Sequence, residues 1–366
     1  MRVTRGWIAV WAVALGGLAG GQRTHAVDGA TPPPEIVVVE PCFANTCCDV
    51  PCRLLDPLGQ DPVWTGRTEA LLLWRDAPSS VPFYDFVNPD TFEPTGVALS
   101  ASDFQSGMAA GPRFTLFRHT GDMGAIEFNY LRVQSFTASQ TLPTIEDGYI
   151  DTQPHGLYCC DTETLRDTAG GAMSSSLQSF EVNRRFPTDG RLGWLMGFRW
   201  VEWNDGIGLQ SLTTPELGDP YTRSYRTQTA NDLYGLQVGA DSILYGLGRS
   251  FRIEGIGKAG VFYNDARQTS QFSTTDPNID PNVLGVGTNT GRAAFVGELG
   301  VTGVYDITER ISLRAGYAIF WLGGLALAPN QFDRQALCPD DPIMGATDTA
   351  GSVVVQGLSL GLEGRW

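Results

Sequence analysis

The chain ends in VVVQGLSLGLEGRW, residues Val353 to Trp366, and this stretch decides the predicted fold. Side chains of a β-strand alternate between two faces, so one face carries Leu358, Leu360, Leu362 and the terminal Trp366. The opposite face carries small or charged side chains. A soluble domain would cover the apolar face with a second layer, but no helical pattern in the chain could supply one. The stretch therefore predicts an all-β fold, a transmembrane β-barrel whose outer face is covered by lipid.

The composition agrees with a barrel. Of 366 residues, 44 are glycine, 10% are aromatic and 18% are charged, which suits short strands, tight turns and interfacial aromatic belts. A mean hydropathy of -0.10 excludes a helical membrane protein but not a barrel, because barrel strands alternate apolar with polar residues. The net charge of -15 argues against nucleic-acid binding, which needs a clustered basic surface.

Two N-terminal segments differ from the rest of the chain. Residues 1–26 combine Arg2 and Arg5, an apolar run from Trp7 to Leu18 and small residues up to Ala26. This series predicts a signal peptide and export, with an uncleaved anchor as the alternative. Residues 27–63 are rich in proline and cysteine and predict an irregular periplasmic arm. Residues 64–366 are then the barrel.

The seven cysteines form two clusters and one isolated residue, Cys338. Neighbouring cysteines of an exported protein are expected to form disulfides, within the chain or to a partner chain. The candidates are Cys42, Cys47, Cys48, Cys52, Cys159 and Cys160. A metal site is the alternative, but the C-x4-C-C-x3-C spacing departs from the usual C-x2-C pairs. No motif predicts a cofactor.

Alternating segments recur from Arg67 to the C-terminus. The clearest runs from Leu192 to Glu202, where every second residue is apolar and mostly aromatic. Similar segments cover 126–133, 234–241, 251–263, 295–305 and 311–321, and weaker ones cover 68–75, 113–118 and 177–185. Together with the last strand they predict about ten strands.

The connections between these segments alternate strictly between short and long. Short ones lie near 119–122, 186–190, 245–250 and 306–310, and long ones span 76–107, 137–173, 204–230, 265–290 and 323–351. An antiparallel up-and-down barrel with both termini in the periplasm predicts this alternation, with short periplasmic turns and long extracellular loops. The first long loop has room for another strand pair, so twelve strands remain an alternative.

The faces opposite the apolar ones carry charges of both signs. We expect these side chains to point into the lumen: Glu127, Asp241, Arg252, Glu254, Lys258, Glu298, Arg314 and Glu363. A ten-stranded barrel is only slightly wider than an eight-stranded one, whose interior side chains can fill. The charges are therefore expected to pair and plug the barrel, with a lining for ion permeation as the alternative.

An enzyme is not predicted. A barrel protease would need a histidine base near carboxylates at the extracellular rim, and only His155 lies in a long loop, beside Cys159 and Cys160. The loop run DPNIDPN offers Asp276 and Asp280 as weak candidate ligands for Ca²⁺. Asp-Pro steps are equally ordinary turn formers, so no resident metal is expected.

Five segments resemble the planctomycetal outer-membrane β-barrel protein family. They are TEALLLWR (68–75), LSASDFQSGMAAGPRF (99–114), NDLYGLQVGADSILY (231–245), AFVGELGVTGVY (294–305) and LRAGYAIFWLGGLALAPNQ (313–331). The resemblance spans most of the mature chain and implies a porin-like outer-membrane protein without a catalytic signature. It also implies that the strand with Leu358, Leu360, Leu362 and Trp366 is similar to the signal read by barrel-assembly machinery.

These observations predict an exported outer-membrane surface barrel with a structural or interaction role, and a narrow, cation-preferring permeability is compatible with it. A passive diffusion porin and a soluble secreted β-protein are the alternatives. The expected partners are outer-membrane lipid and the assembly machinery, and the sequence sets no oligomeric state.

Overall fold

The computed structural model describes residues 63–88, 90–91, 93–142, 149–151, 164–165, 168–186, 192–213, 219–248, 250–275, 284–336, 343–344 and 346–366. All of them lie in the unit Pro57–Trp366. The predicted signal peptide and arm, the seven cysteines, His155, Asp276 and Asp280 lie outside the described residues. The expectations about them therefore stay predictions.

Sixteen strands occur in the described residues. In chain order they are β1 (Trp64–Arg75), β2 (Pro82–Val87), β3 (Pro94–Ser100), β4 (Ala109–His119), β5 (Ala125–Thr141), β6 (Tyr149–Asp151), β7 (Thr164–Leu165), β8 (Ala169–Phe186), β9 (Leu192–Thr213), β10 (Tyr221–Leu247), β11 (Phe251–Thr274), β12 (Leu284–Asp306), β13 (Ile311–Leu325), β14 (Gln335–Ala336), β15 (Ile343–Met344) and β16 (Gly351–Arg365). Short 3₁₀ helices occupy Ala101–Asp103, Gly121–Met123 and Pro329–Arg334. None of the described helices is long and apolar enough to cross a membrane.

Ten strands form a closed antiparallel barrel in the order β1-β16-β13-β12-β11-β10-β9-β8-β5-β4. The first and last strands close it: Trp64 N–H donates to Trp366 O at 2.9 Å, and Trp366 N–H donates to Trp64 O at 3.0 Å. The prediction of ten strands is confirmed and the twelve-stranded alternative is wrong. The first long connection does hold a strand pair, β2 and β3, but it joins β6 and β7 in a separate sheet.

Strand alternation explains the outer surface of the barrel. The predicted apolar faces point outward, where Leu236 is 72% and Val261 70% exposed, a degree that large apolar side chains show on a lipid-facing wall. The same belt includes Trp194, Met196, Phe198, Leu299, Val301, Leu358, Leu360 and Leu362. No second protein layer covers these described residues. The outer face is the lipid-facing wall of a transmembrane barrel, and the soluble secreted alternative is wrong.

The connections agree with the prediction at one end of the barrel and differ at the other. The short turns occur as expected, after β4, β8, β10 and β12. Two of the expected long loops, 204–230 and 265–290, are mostly strand, because β9 runs on to Thr213, β10 starts at Tyr221, and β11 and β12 extend in the same way. The outward face of these extensions carries mostly small or polar residues such as Thr, Ser and Gln, and their inward face includes buried apolar side chains such as Ile207, Leu209 and Phe272. We call the two ends of the barrel the short-turn end and the long-loop end.

Candidate functional site

The barrel interior is filled in successive layers, beginning at the short-turn end with charged side chains. This charge layer contains eight carboxylates and eight cations: the eight charges expected from the sequence, together with Arg67, Glu69, Arg113, Glu181, Arg185, Arg199, Asp306 and Arg365. Alternation places them inward, because they share strand faces opposite the lipid belt. The layer as defined is electrically balanced, with one cation for each carboxylate.

Several ion pairs of the charge layer cross the lumen. Lys258 Nζ on β11 lies 2.7 Å from Glu181 Oε2 on β8 and 3.3 Å from Glu127 Oε1 on β5. Glu298 on β12 accepts from Arg199 Nη1 at 2.9 Å and from Arg113 Nη2 at 2.5 Å. These strands are not neighbours in the barrel, so the pairs act as struts between opposite walls.

A second group of pairs lies closer to the short turns. Glu363 Oε2 accepts from Arg67 Nε at 2.7 Å and from Arg314 Nη1 at 2.8 Å, while its Oε1 accepts from Arg365 Nη2 at 2.7 Å. Arg314 Nη2 also donates to Glu254 Oε2 at 2.9 Å. The last strand is thereby tied through its one buried carboxylate to β1 and β13.

Aromatic packing and a small cavity complete the charge layer. The guanidinium carbons of Arg67 and Arg185 lie 4.6 Å and 5.1 Å from the ring centroid of Phe117, within the range of cation–π attraction. A cavity of ≈ 60 Å³ remains between the charged side chains. At about 10–15 Å³ for each water position, it has room for a few waters but not for a hydrated solute.

An apolar layer covers the charge layer. All ten barrel strands contribute buried side chains to one continuous cluster, which crosses the lumen: Leu71, Leu73, Ala109, Leu131, Val133, Leu177, Val201, Trp203, Leu233, Phe262, Val296, Phe320, Leu322, Val353 and Val355. The sequence reasoning missed this layer because it assigned polar or small residues to the whole inner face. The runs LLLW (71–74) and VVV (353–355), apolar on both faces, were the available signal.

Asp205 on β9 organises the next layer. Its Oδ1 accepts from Arg75 Nη1 at 2.7 Å and from Ser175 Oγ at 2.8 Å, and Arg75 also donates to Ser175. Its Oδ2 accepts from the backbone N–H of Ala328 at 3.1 Å. The Asp205 side chain is fully buried and that of Arg75 is 3% exposed, so this is a desolvated ion pair fixed by neutral donors.

The chain after β13 enters the barrel above the apolar layer. We call residues 326–332 the plug segment; within it Ala326, Leu327, Ala328, Gln331 and Phe332 are buried. Asn231 holds it as a strand would, accepting from Ala326 N–H at 2.7 Å and donating to Ala326 O at 2.9 Å. All of the segment except Phe332 lies within LRAGYAIFWLGGLALAPNQ (313–331), one of the stretches on which the family resemblance rests.

A second apolar cluster closes the long-loop end within the described residues. The pair β2 and β3 contributes Phe83, Tyr84 and Leu99, which pack with barrel residues such as Ile207 and with Phe332 of the plug segment. The rings of Phe83 and Phe332 have centroids 4.9 Å apart. Burial raises the pKa of the Tyr84 phenol, so it remains neutral. The interior is thus occupied by side chains from one end to the other.

The structure brings all eight expected inward charges into ion pairs. Their partners Arg113, Glu181 and Arg185 were not predicted, because β4 and β8 alternate weakly in sequence, and Arg199 on β9 was not predicted either. Leu358, Leu360 and Leu362 face lipid, and Trp366 is 61% exposed at the short-turn end. His119, the histidine within the described part of the chain, has its Nε2 3.0 Å from Thr65 Oγ1.

Comparisons with known proteins place these features in context. The model of the family described as Putative beta barrel porin-7 (BBP7) matches residues 161–366. No curated protein matches the chain.

Several solved structures are similar in part. The outer membrane protease OmpT of Escherichia coli has 11% identity and a TM-score of 0.40, covering 83% of this chain and 96% of its own. The toluene transporter TbuX of Ralstonia pickettii has 8% identity and a TM-score of 0.20, covering 84% and 90%. An anion-selective porin from Comamonas acidovorans has 8% identity and a TM-score of 0.18, covering 83% and 98%.

Proposed function

The chain belongs to the BBP7 family of β-barrel porins, and we propose that it is an outer-membrane surface barrel with a structural or interaction role, whose lumen is closed to passive diffusion. Lipid of the outer membrane surrounds its belt, and the strand ending in Trp366 is the segment read by the assembly machinery. Permeation, where it occurs, is narrow and prefers cations, as the net charge of -15 favours.

The apolar layer is the observation that carries this proposal. Within the described residues, side chains from all ten strands meet in one buried apolar cluster, which lies across the lumen between the charge layer and the long-loop end. The ion pairs below it cross the lumen, and the plug segment covers it from above. A passive diffusion porin needs a water-filled interior, which the larger barrels provide.

Single-channel recording in planar bilayers tests the proposal. The barrel is folded in detergent, its closure is checked by heat-modifiable gel migration, and equal amounts of it and of a general diffusion porin are added to the same membranes. We expect no steps of open-channel size from this protein, and any small steps to show a cation-selective reversal potential in a salt gradient. Open-channel steps from the closed barrel would establish the passive porin alternative instead.

The proposal assigns no catalytic activity to the chain. Among the described residues, the histidine His119 lies at the short-turn end, where its Nε2 is 3.0 Å from Thr65 Oγ1. Incubation of the folded barrel with a mixture of fluorogenic peptides is expected to give no cleavage above that of the heat-unfolded protein.

A further inference from the structure

The outward side chains of β8 to β11 form rows that run across the strands, and the type of residue changes from one row to the next. The aromatic row consists of Phe180, Trp200, Tyr234 and Tyr263, which are direct cross-strand partners. The acidic row lies one step toward the long-loop end, where Asp232 pairs with both Glu202 and Asp265. Aromatic rows mark the edge of the hydrocarbon in barrels, so the wall beyond it faces the lipid headgroups.

A groove runs along this wall beyond the acidic row. One part has a volume of ≈ 590 Å³ and the adjoining part, which shares β8, β9 and β10, has ≈ 530 Å³. Apart from the exposed Leu212, its outward floor is small or polar, with Ser174, Gly206 and Gly208 in the centre and Gln228 and Thr269 at one side. Most of these groups can both donate and accept hydrogen bonds.

Two glycines show that the floor is kept open. A Cβ added to Gly206 would meet no atom closer than 3.8 Å, and one added to Gly208 none closer than 3.9 Å. By contrast, a Cβ on Gly197 of the same strand would lie 2.2 Å from Val182 O. Glycine weakens a strand and commonly marks close approach of a ligand or of backbone. Internal packing explains Gly197, whereas Gly206 and Gly208 leave room for a molecule outside the barrel.

The charges next to the groove select the chemistry of that molecule. Three adjacent carboxylates, Glu202, Asp232 and Asp265, separate the groove from the aromatic row and repel phosphates of lipid headgroups. Two arginines point outward here: Arg267, which is paired with Asp265 at 2.7 Å, and the exposed Arg226, which is the direct cross-strand partner of Gly208. Two cations against three carboxylates leave this part of the wall with a net negative charge. A neutral polyhydroxyl group matches the donors and acceptors that remain.

We propose that the groove binds the neutral sugar headgroup of a glycolipid in the membrane leaflet at the long-loop end. Its acyl chains lie along the apolar belt, and its sugar passes the aromatic row to reach Gly206 and Gly208. The inference rests on the proposed placement in the outer membrane and gives the proposed interaction role a partner.

Native mass spectrometry of the folded barrel, released from phosphatidylcholine vesicles containing a diglycosyl diacylglycerol, tests the inference. We expect one or more glycolipid molecules to remain bound to the wild type, and the double variant Gly206→Leu/Gly208→Leu to retain at least tenfold less. Gly285→Leu is the matched control, because Gly285 also faces outward with no atom within 3.9 Å of an added Cβ but lies outside the groove. It should retain glycolipid like the wild type.

Three results would overturn the inference: equal retention in all three proteins, no preference of the wild type for glycolipid over phosphatidylcholine, or displacement of the glycolipid by an equimolar free disaccharide. Dimers of the wild type that the double variant cannot form would instead identify the groove as a contact between copies.

Heat-modifiable migration confirms that each variant is folded. Bilayer conductance is independent of the groove, so failure of this inference and failure of the closed lumen are distinguishable.

Discussion

Asp205 connects three parts of the interior that are distant in sequence. It pairs with Arg75 at the end of β1, accepts from Ser175 on β8 and receives the N–H of Ala328 in the plug segment. A buried charge is stable only when it is paired and hydrogen-bonded, and here each carboxylate oxygen has a donor. Asp205 therefore ties the plug segment to β1 and β8, in addition to the two hydrogen bonds between Asn231 and Ala326.

Asp205→Ala is expected to reduce the free energy of unfolding by about 3–5 kcal/mol, because it leaves Arg75 charged and unpaired in a buried site. Urea unfolding of the barrel in vesicles, followed by tryptophan fluorescence, measures the loss.

Arg75→Met in the Asp205→Ala background is the control for that interpretation. The double variant should lose clearly less free energy of unfolding than Asp205→Ala and Arg75→Met lose in sum, since neither charge is then left buried without its partner. Strictly additive losses would mean that the two side chains stabilise the barrel independently.

Single charges were predictable from strand alternation, but their partners were not. Glu127 and Lys258 could be assigned inward because their strands alternate clearly, and the structure places their charged atoms 3.3 Å apart. Arg199 sits in an equally clear strand but was overlooked among aromatic neighbours. Pairing across the lumen depends on which strands face each other, and no local pattern contains that information.

At the scale of the strand, the acidic row is a local conflict. Asp232 is the direct cross-strand partner of Glu202 on one side and Asp265 on the other, and like charges in that position destabilise a sheet. Trp200 Nε1 donates to Asp232 at 3.3 Å, and Arg267 donates to Asp265, which offset only part of the repulsion.

Asp232→Asn is expected to raise the free energy of unfolding by about 0.2–1 kcal/mol for each repulsive pair removed, while its side-chain oxygen can still accept from Trp200. The comparison is made by urea unfolding at low ionic strength. At about 1 M salt, where charges are screened over roughly 3 Å, the gain should shrink. A destabilised variant, or a gain that ignores salt, would show that the row is not under electrostatic strain.

Strand existence was easier to predict than strand length. The lipid-facing halves of β9 to β12 carry large apolar side chains at every second position, and they were found in the sequence. Their extensions, such as Tyr221 to Asn231, carry mostly polar residues on both faces, with Tyr221 and Tyr225 as the large inward side chains, so hydrophobic periodicity gives only a weak signal there. The ladder continues because each strand already has a neighbour on both sides.

At the scale of the whole molecule, Trp366 extends the pairing between β1 and β16 that closes the barrel. Trp366 exchanges two backbone hydrogen bonds with Trp64, and its ring lies 2.9 Å from the position of a Cβ on Gly66. A Cβ at that point would displace the tip of the ring. Trp366 thus continues the pairing of β1 with β16 by one residue.

Deletion of Trp366 is expected to separate assembly from stability. The ladder between β1 and β16 pairs eleven residues on each strand without it, so the shortened chain should still fold in detergent and migrate as a closed barrel. In cells we expect a several-fold smaller heat-modifiable fraction in the outer membrane, because the assembly signal is incomplete. Equal loss in detergent and in cells would mean that the residue acts only on stability.

Because β16 closes the barrel against β1, the barrel has no open edge only after its last strand has been synthesised. A polypeptide interrupted before β16 is synthesised would retain two unsatisfied edges, each with backbone groups that hydrocarbon cannot hydrate. Hydrocarbon therefore disfavours unfinished copies through the unpaired backbone groups of β1 and β13.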